Sequence, residues 1–545
     1  LSGTGTMTIN GQIHDTFHSG GITTTTTDSA GNPTTSVLRV GTGTLNINSD
    51  NSSTFFGDFR IHNGGLARIG NSGALGATGA GSGTDIDSGG TLDLNGQTIA
   101  ENFYGLDGSG VGGIGALINS DTGTPAAITS DISNDGSFTV GGDGDITLTR
   151  VNSGGTQTVT KIGNGTLILA GTEHNNLYQW TVNAGALELA KSVAGKYAVD
   201  RTLTIKGGLV KIIGTGGNQI ANGTDVYVNG GIFDLDDKGE AIGGLNAAAA
   251  GGTVLNNGSG TATLYVGGSS GGTSSGDYAG VLQNGTGVLK FTKEGSGTQI
   301  LRGASTYTGN TTVSAGTLAL ADSATIANSP TITVAGGATF DVSGLSSVFT
   351  LGSGQTLAGN GSVTGNVNVN GTLSPGTSIG SLAFNNNLAL AGNTLIELNK
   401  DLSPAQSNDV VNVGGSLVYG GTLTVTNIGT TALAAGDTFS IFPAGGTGSI
   451  TVAGDAGSGL AFSFNTASGV LSVVSAGSPT LNYTNLGGGV LQFGWSGAYK
   501  LVWQTNALST GLSNNWVDYP DASNPVNVTN NPVIPAAFFR LQSTP

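Results

Sequence analysis

Cysteine is absent from the 545-residue sequence, and methionine occurs once. The absence of cysteine excludes disulfide bonds and Cys-ligated zinc as sources of stability. Proline is rare, with 12 residues, and the glycines do not keep the three-residue period of collagen. No apolar run approaches the length of about 18 residues that a membrane-spanning helix needs. We therefore expect a protein that is stabilised by a continuous hydrogen-bonded sheet and has no membrane span.

Charge is also scarce, and most of it is negative. Charged residues make up 9% of the chain, against about 25% in typical globular proteins. The chain has 33 Asp and Glu against 17 Lys and Arg, for a formal net charge of −16. A nucleic-acid-binding domain needs a basic patch, and an anionic bilayer surface repels an acidic chain. These counts exclude nucleic acid and anionic membrane surfaces as expected partners.

The sequence is rich in glycine, with 98 residues, and in short runs that place an apolar side chain at every second position. Such alternation predicts strands with one buried face, and the Asn-Gly, Gly-Gly and Asp-Gly pairs between them supply turns. The clearest runs are 6–10, 43–48, 91–95, 166–169, 202–205, 331–334, 363–369 and 422–426. The best helical candidates, 246–250 and 319–328, are short and weakly periodic. The pattern therefore predicts an all-β protein.

Internal similarity distinguishes a solenoid from a set of sandwiches or a propeller. Segment 161–171, Lys-Ile-Gly-Asn-Gly-Thr-Leu-Ile-Leu-Ala-Gly, recurs at 293–303 as Lys-Glu-Gly-Ser-Gly-Thr-Gln-Ile-Leu-Arg-Gly. Each copy is followed by a second matching segment, at 181–189 and at 312–320. The distances between recurrences are unequal, which excludes a fixed blade length and fits the coils of a β-helix with inserted loops.

The repeated pattern Lys-x-Gly-x-Gly-Thr-Leu-x-Leu-x-Gly, followed by Tyr-x-Gly-x-Thr-x-Val-x-Ala-Gly-Thr-Leu, resembles the passenger-associated repeat of autotransporter proteins. Residues 293–320 carry nearly all of this pattern, including Tyr307 and Gly309. Segment 371–439 is similar to the closing portion of such passengers. The resemblance covers residues 150–475 well and residues 1–150 more loosely. It implies a right-handed parallel β-helix that is exported to the bacterial cell surface.

We therefore expect a long right-handed parallel β-helix over residues 1–475, less regular in 1–150 and rich in repeats in 150–475. A small antiparallel domain, resembling a β-sandwich, is expected at 477–545. This segment holds three of the four tryptophans and six of the twelve prolines, and strands are predicted at 490–495, 499–505 and 537–541.

Two further expectations concern export. The family's outer-membrane barrel needs many alternating strands of about ten residues. About 70 residues follow Ala476, too few for such a barrel, so we expect this chain to lack it. The sequence begins at Leu1 in strand-like sequence, from which we expect that a signal peptide has been removed. A boundary of the expressed fragment is the alternative.

Enzymes built on β-helices need clustered acidic groups. The densest cluster contains Asp234, Asp236, Asp237, Lys238 and Glu240, of which the first three are the candidate metal ligands. Strand alternation predicts that Asp234 and Asp236 share a face, as a candidate carboxylate pair or Ca²⁺ site. However, Asp234 lies in a Gly-Gly-x-x-Asp-Leu motif that also contains Asp93, and Asp341 occupies a similar place. A repeated feature indicates architecture, so we expect no catalytic residues, no cofactor and no enzyme activity.

A second acidic segment, Gly141-Gly-Asp-Gly-Asp145, has the composition of a calcium-binding repeat. It occurs once and does not keep the Gly-Gly-x-Gly-x-Asp register, so the sequence predicts a turn. An isolated Ca²⁺ site is the alternative.

The leading functional hypothesis is an extracellular structural protein that associates end to end into a surface fibre. An open strand edge invites pairing with another strand, which predicts self-association between the N-terminal strand and the C-terminal domain. The candidate interface residues are Thr6, Met7, Ile9, Trp495, Trp503 and Trp516. The first alternative is a monomeric surface-displayed adhesin or glycan-binding passenger. The second is a polysaccharide-degrading β-helix enzyme that uses Asp234 and Asp236.

Overall fold

The structure is a computed structural model. It describes residues 4–14, 37–78, 83–247, 251–268, 272–402, 406–476, 480–495, 499–505, 509, 511–520, 523–529, 533–534 and 536–543. These residues form β-strands, connected by turns and by two 3₁₀ turns at Val111–Gly113 and Lys400–Leu402. No α-helix occurs in the described part of the chain, and neither of its helical turns has the length or the apolar character needed to cross a bilayer.

The strands of the N-terminal third are short, with the exception of one strand of 16 residues that ends this part. They are β1 (Thr6–Ile9), β2 (Val37–Val40), β3 (Gly43–Ile47), β4 (Asp58–Ile61), β5 (Gly65–Ile69), β6 (Thr84–Ile86), β7 (Thr91–Asp93), β8 (Thr98–Ile99), β9 (Phe103–Leu106), β10 (Leu117–Asn119), β11 (Ala126–Ser133), β12 (Phe138–Gly142) and β13 (Ile146–Lys161).

The middle of the chain continues in the same manner. Its strands are β14 (Thr166–Leu169), β15 (Asn176–Val182), β16 (Ala186–Leu189), β17 (Leu203–Ile205), β18 (Leu209–Ile212), β19 (Val226–Val228), β20 (Ile232–Asp234), β21 (Glu240–Ile242), β22 (Leu245–Asn246), β23 (Thr253–Leu255), β24 (Thr261–Val266), β25 (Gly276–Tyr278), β26 (Val281–Leu282), β27 (Val288–Lys293), β28 (Thr298–Leu301), β29 (Thr311–Val313), β30 (Thr317–Asp322), β31 (Thr331–Val334), β32 (Thr339–Leu345), β33 (Phe349–Leu351), β34 (Thr356–Gly359), β35 (Ser362–Thr364) and β36 (Val367–Val369).

The last third contains the remaining strands. They are β37 (Thr372–Pro375), β38 (Ser381–Phe384), β39 (Leu388–Leu390), β40 (Asn393–Leu398), β41 (Val410–Val413), β42 (Leu417–Tyr419), β43 (Thr422–Asn427), β44 (Thr438–Ser440), β45 (Thr447–Gly448), β46 (Thr451–Ala453), β47 (Leu460–Asn465), β48 (Val470–Ser475), β49 (Leu481–Gly487), β50 (Val490–Trp495), β51 (Tyr499–Gln504), β52 (Val517–Asp518), β53 (Val526–Thr529) and β54 (Phe538–Ser543).

Parallel pairing between successive coils builds the solenoid. Four sheets of 23, 10, 7 and 5 strands contain the strands from β1 to β46, apart from β44. Leu187 of β16 pairs with Leu167 of the preceding coil and with Val210 of the next, and all three side chains are fully buried. Like side chains therefore stack along the axis, which is the unit of stabilisation in a sheet. The predicted parallel β-helix is confirmed, whereas its right-handed sense stays a prediction.

One hydrophobic cluster runs along the solenoid, from Val40 to Val473. Its large side chains include Trp180 and Tyr178, whose ring centroids lie 6.4 Å apart, and Phe138, which contacts Tyr178 edge to face at 5.8 Å. Each coil covers the apolar side chains of its neighbours. A thin core is therefore enough to stabilise a long molecule in which only 9% of the residues are charged.

The described residues of the two weak helical candidates, 246–250 and 319–328, form no helix. Asn246 ends β22, and Ala247 forms a parallel bridge with Tyr278, while the rest of segment 246–250 lies outside the described residues. Residues 319–322 belong to β30, which has parallel partners on both sides, β28 and β32. Backbone pairing with both neighbouring strands and the burial of Leu318 and Leu320 outweigh a weak helical propensity.

The other strand predictions are confirmed within one or two residues, with one division. The run predicted at 363–369 forms two strands, β35 and β36, which are separated at Gly365. The φ of Gly365 is +104°, and a Cβ at this position would lie 2.7 Å from the backbone N of Ser343. A glycine is therefore required where the chain turns between two faces of the solenoid.

An antiparallel sheet, β44–β48–β47, packs against the C-terminal part of the solenoid core. Phe439, Leu471 and Val473 of this sheet are buried in the same cluster as the coils. The expectation that parallel coils continue to residue 475 is therefore wrong. Four residues connect β47 to β48, which allows a hairpin but not the long crossover that parallel strands require.

The C-terminal residues form two further antiparallel sheets, β49–β50–β53 and β52–β51–β54. The strands predicted at 490–495, 499–505 and 537–541 correspond to β50, β51 and β54. Phe493, Leu501 and Val526 are the buried residues of a hydrophobic cluster that is distinct from the solenoid core. We call residues 480–543 the C-terminal unit. Its treatment as a separate domain starting at 477 stays a prediction.

Candidate functional site

The acidic cluster predicted from the sequence lies at a turn. Strand β20 ends at Asp234, and Asp236 and Asp237 have left-handed φ values of +44° and +64°. Asp234 is buried, and its Oδ1 accepts hydrogen bonds from the backbone N of Asp236 at 3.0 Å and of Asn257 at 2.9 Å. Strand alternation therefore stops at Asp234, and the prediction that Asp234 and Asp236 share a strand face is wrong.

The other two aspartates of the cluster bind groups of neighbouring coils. Asp236 Oδ1 lies 3.3 Å from the Nζ of Lys211. Asp237 Oδ1 accepts hydrogen bonds from Asn256 Nδ2 at 3.0 Å and from the backbone N of Gly260 at 2.8 Å, and these bonds lower the pKa of Asp237. In the ranges that the structure describes, no group of three or more His, Asp or Glu is placed to hold a metal ion. The proposal of Ca²⁺ ligands here rests on the sequence alone.

Within segment 141–145, Gly141 and Gly142 end β12, and residues 143–145 connect it to β13, in agreement with the predicted turn. Asp145 Oδ1 accepts a hydrogen bond from the backbone N of Thr166 at 2.7 Å, and Asp143 Oδ1 accepts one from Asn164 Nδ2 at 2.9 Å. Both donors belong to the next coil. These two carboxylates thus join adjacent coils, in the same way as Asp234 and Asp237.

Glu240, the last residue of the predicted acidic cluster, is a buried carboxyl group. Its two oxygens accept hydrogen bonds from the backbone N of Gln219 and of Ile220, both at 2.9 Å, and burial raises the pKa of Glu240 to about 8. A strongly shifted pKa often marks an active site. Glu240 is fully buried, however, and both of its oxygens bind backbone, so that this carboxyl supports the fold.

One polar cleft of about 750 Å³ is lined by carboxylates from successive coils. Asp85, Asp87, Asp107 and Asp135 line it together with Tyr104, whose side chain is 57% exposed. Burial raises the pKa of Asp107, and the charges of Asp85 and Asp87 raise it further. The cleft combines hydrogen-bond acceptors with an exposed aromatic ring, a combination suited to a sugar ring. Sequence reasoning missed this cleft, because its carboxylates come from three separate segments of the chain, at 85–87, at 107 and at 135.

The predicted N-terminal interface residues lie on β1. Thr6 and Met7 are exposed and Ile9 is half-buried, and Met7 and Ile9 pair with the buried Leu45 and Ile47 of β3. No strand of the described ranges pairs with the other edge of β1. Met7 therefore occupies a core position that is 47% exposed.

The three tryptophans predicted for the interface each contact a different partner. Trp495 Nε1 donates a hydrogen bond to the backbone O of Tyr499 at 2.7 Å, and Trp516 stacks on the guanidinium of Arg540 at 4.4 Å. Trp503 lines a cavity of about 660 Å³ with Tyr519, and the two rings meet edge to face at 5.3 Å. The role of these tryptophans in an interface stays a prediction.

The repeated segments share a feature that the sequence analysis missed, a buried lysine at the start of each copy. Lys161 is 2% exposed, and its Nζ donates hydrogen bonds to the backbone O of Ile162 at 2.7 Å, of Gly163 at 3.1 Å and of Ala184 at 3.5 Å. Two acceptors belong to the turn that follows the lysine, and the third belongs to the next coil.

The second copy repeats this arrangement. Lys293 is fully buried, and its Nζ donates to the backbone O of Glu294, of Gly295 at 2.9 Å and of Ala315 at 3.4 Å. The signal for this site was present in the sequence, because both repeats begin with Lys-x-Gly. It was missed because a lysine is normally a surface residue.

Exposed and half-buried charges also join successive coils. Arg302 contacts Asp277 of the preceding coil and Asp322 of the next, with shortest N–O distances of 2.6 and 2.9 Å. Arg68 Nε lies 2.7 Å from the Oδ2 of the buried Asp93. These ion pairs place charges of opposite sign in neighbouring coils.

Comparisons with known proteins support the two repeated segments found in the sequence. The model of the passenger-associated-transport-repeat family matches residues 159–189 and 291–320, whereas a search of the curated proteins found no significant match. The crystal structure of the Haemophilus influenzae Hap adhesin is similar at 14% identity and a TM-score of 0.30. The match covers 87% of this chain and 56% of that chain, so this chain spans little more than half of the Hap structure. A TM-score of 0.30 supports no functional inference, and the assignment rests on the repeats: the chain carries two passenger-associated-transport repeats within a parallel β-solenoid.

Proposed function

We propose that this chain is a non-catalytic passenger of the bacterial cell surface, a stiff rod that holds its loops and its C-terminal unit away from the cell. The observation that carries this proposal is the single core cluster from Val40 to Val473, built from parallel coils that include two passenger-associated-transport repeats and closed by the antiparallel sheet β44–β48–β47. A solenoid with a continuous core has no internal hinge formed by a break in packing.

The carboxylates support a structural role over an enzymatic one. In the cluster that the enzyme hypothesis uses, Asp234 and Asp237 accept backbone hydrogen bonds and Asp236 faces Lys211. A glycosidase needs two carboxyl groups on opposite sides of a bound substrate. Release of reducing sugar from a panel of polyuronates, abolished by Asp234→Asn or Asp236→Asn, would contradict the structural assignment.

We further propose that the rods associate end to end into a surface fibre. Met7 and Ile9 of β1 stack on the buried Leu45 and Ile47, and Met7 is 47% exposed. Pairing of β1 with a strand of a second copy would cover this side chain and would satisfy the backbone groups of its edge. The exposed edge of β49 in the C-terminal unit, which pairs with β50 alone in the described residues, is the complementary surface.

Light scattering and electron microscopy of the purified chain test this association. We expect particles larger than the 53.6 kDa monomer, joined into rows, and we expect Met7→Asp to leave single rods. Val418→Asp is the matched control, because Val418 is also 47% exposed but lies on the side of the solenoid, in β42. Single rods of the unmodified chain at high concentration would rule out the fibre and leave the passenger assignment in place.

A specific observation also favours glycan binding as a second function of the same rod. The cleft formed by Asp85, Asp87, Asp107, Asp135 and Tyr104 is open to solvent and combines carboxylates with an exposed ring. A glycan array with the unmodified chain and with Tyr104→Ala tests this function. Binding that survives Tyr104→Ala unchanged would place the glycan elsewhere on the surface.

A further inference from the structure

The three lysines that are almost fully buried in the described ranges share an unusual environment. Lys161 and Lys293 donate to three backbone carbonyl oxygens each, and Lys191 donates to the O of Thr149 at 2.8 Å, the O of Ala170 at 2.5 Å and the Oδ1 of Asn175 at 3.0 Å. None of the described carboxylates lies within 4.0 Å of these ammonium groups. A buried charge is normally paired with an opposite charge, so that three oxygens replace the counter-ion here.

Three oxygens match the three donors of an ammonium group. In each repeat, the turn directs its carbonyls inward because the glycine that follows the lysine by two residues has a left-handed φ, +73° at Gly163 and +62° at Gly295. The third oxygen comes from the residue before a second left-handed glycine, Gly185 in the first copy. A Cβ on Gly185 would lie 2.7 Å from the Nζ of Lys161. Two glycines and one lysine of the repeat therefore form one site.

We propose that the turn of each repeat is a binding site for a monovalent cation, formed by carbonyl oxygens and filled by the repeat's own lysine. Rings of backbone carbonyls bind monovalent cations in ion channels by replacing their water shell, and an ammonium group adds directional N–H donors. Because the ammonium group is covalently attached to the chain, the turn needs no free ion. Burial lowers the pKa of Lys161 and of Lys293 to about 8, which leaves both mostly protonated at neutral pH.

The repeat motif therefore has a structural role of its own, which goes beyond the proposed passenger function. The lysine of Lys-x-Gly-x-Gly supplies the ammonium group. The turn that follows this lysine and the later Ala-Gly supply the carbonyl oxygens around it. The segments that follow, Thr-Leu-Ile-Leu and Thr-Gln-Ile-Leu, are the strands β14 and β28, which continue the same coil after the turn. The motif is thus a device that fixes the corner where two successive coils meet.

Chemical rescue in the full chain tests the site. Lys293→Ala removes a segment of the size of propylammonium, and Lys293→Met keeps the volume of the stem but removes the donors. We expect both variants to exchange the amides of Ser314 and Thr317 about tenfold faster or more, because these amides bond to the O of Lys293 and of Gly297 beside the site. Propylammonium should restore slow exchange in Lys293→Ala, and tetramethylammonium, which has no N–H donor, should not.

Lys290→Ala is the matched control, because Lys290 lies on the same strand β27 and is exposed. We expect its exchange to equal that of the unmodified chain in either salt. Slow exchange in Lys293→Met would overturn the proposal, since filled volume without donors would then suffice. Equal rescue by propylammonium and tetramethylammonium would overturn it as well.

A measurement on the unmodified chain covers the case in which the variants do not fold. Acylation of the native protein with an amine-reactive ester should modify Lys290 at least about tenfold faster than Lys293 and Lys161, because the latter ammonium groups are enclosed. Equal rates of modification for Lys290 and Lys293 would show that the ammonium group leaves its carbonyl oxygens freely, and this result would contradict the site.

Discussion

The solenoid and the C-terminal unit are both built from short strands with few charges, but they bury their side chains differently. In the solenoid, residues such as Leu187 and Phe291 lie between a coil above and a coil below and are fully buried. In the C-terminal unit, the buried cluster consists of Phe493, Leu501 and Val526, and the surrounding apolar residues are partly exposed. In the solenoid, the coils above and below both cover a side chain. In the C-terminal unit, each small sheet has its side chains covered from one side only. Substitutions that remove single contacts in each region test whether this difference in burial governs local stability.

The largest effect is expected in the solenoid core. Phe291→Ala in β27 removes a fully buried ring, and we expect a loss of about 3–5 kcal/mol in the free energy of unfolding of the local coils. Solenoids need not unfold in one step, so the measurement is hydrogen exchange of β24, β27 and β29 in a urea series. Lys290→Ala on the same strand is the control. Equal exchange in the two variants would show that the coils do not depend on this core.

The next largest effect is expected in the C-terminal unit. Leu501 is fully buried there, and Leu501→Ala should cost about 2–4 kcal/mol. Because the cluster of this unit is distinct from the solenoid core, the loss should be confined to β49–β54. Hydrogen exchange of the whole chain resolves the two regions. Faster exchange in the coils around Leu187 would mean that the two regions unfold together, and the contrast between them would fail.

A third difference is expected in the pH dependence of the solenoid. Burial raises the pKa of Glu240 to about 8 in the folded chain from 4.5, so the folded state holds a proton that the unfolded state has released. This contribution to stability is fully present below pH 4.5 and is lost as the pH rises towards 8, with a slope of at most about 1.4 kcal/mol per pH unit. The urea midpoint of the coils around β21 should fall over this range.

Glu240→Gln separates this group from the other titrating residues. A glutamine does not titrate, so the slope should become flatter by the share of Glu240, although the loss of one acceptor for the backbone N of Gln219 or Ile220 lowers stability at every pH. The slope, and not the absolute stability, is the quantity to compare. An unchanged slope would assign the pH dependence to other groups, such as Asp409, whose pKa burial raises to about 6.

The sequence predicted the solenoid well because alternation and glycine turns are local signals. Strands β14 and β31 were located from the period of their apolar residues, and the repeat at 293–320 indicated stacked coils. The antiparallel sheet over 438–475 was missed because its strands show the same alternation as a coil. The difference lies in the four-residue connection between β47 and β48, and a short loop does not stand out in a glycine-rich chain.

The site was less predictable than the fold. Asp234 and Asp236 are two positions apart, which suggested a shared face, but β20 ends at Asp234, and Asp236 has a left-handed φ and contacts Lys211 of the preceding coil. The carboxylates of the cleft around Asp107 come from several coils, and their proximity depends on loop lengths that the sequence does not reveal. Lys161 and Lys293 were visible as a repeated residue type, yet their burial follows from carbonyl positions that only the folded turn creates.

The smallest effect is expected from surface charge, where the two regions should differ least. Arg302 bridges Asp277 and Asp322 in the solenoid, and Lys500 lies 2.8 Å from Asp518 in the C-terminal unit. Arg302→Ala should cost about 0.5–1 kcal/mol at low salt, because the guanidinium joins three coils, and Lys500→Ala should cost less. Both losses should shrink in about 1 M salt, where charges are screened within about 3 Å. Urea midpoints at low and high salt measure both losses of stability. If the loss caused by Arg302→Ala persists at high salt, the contribution of Arg302 comes from packing of its side-chain stem between the coils.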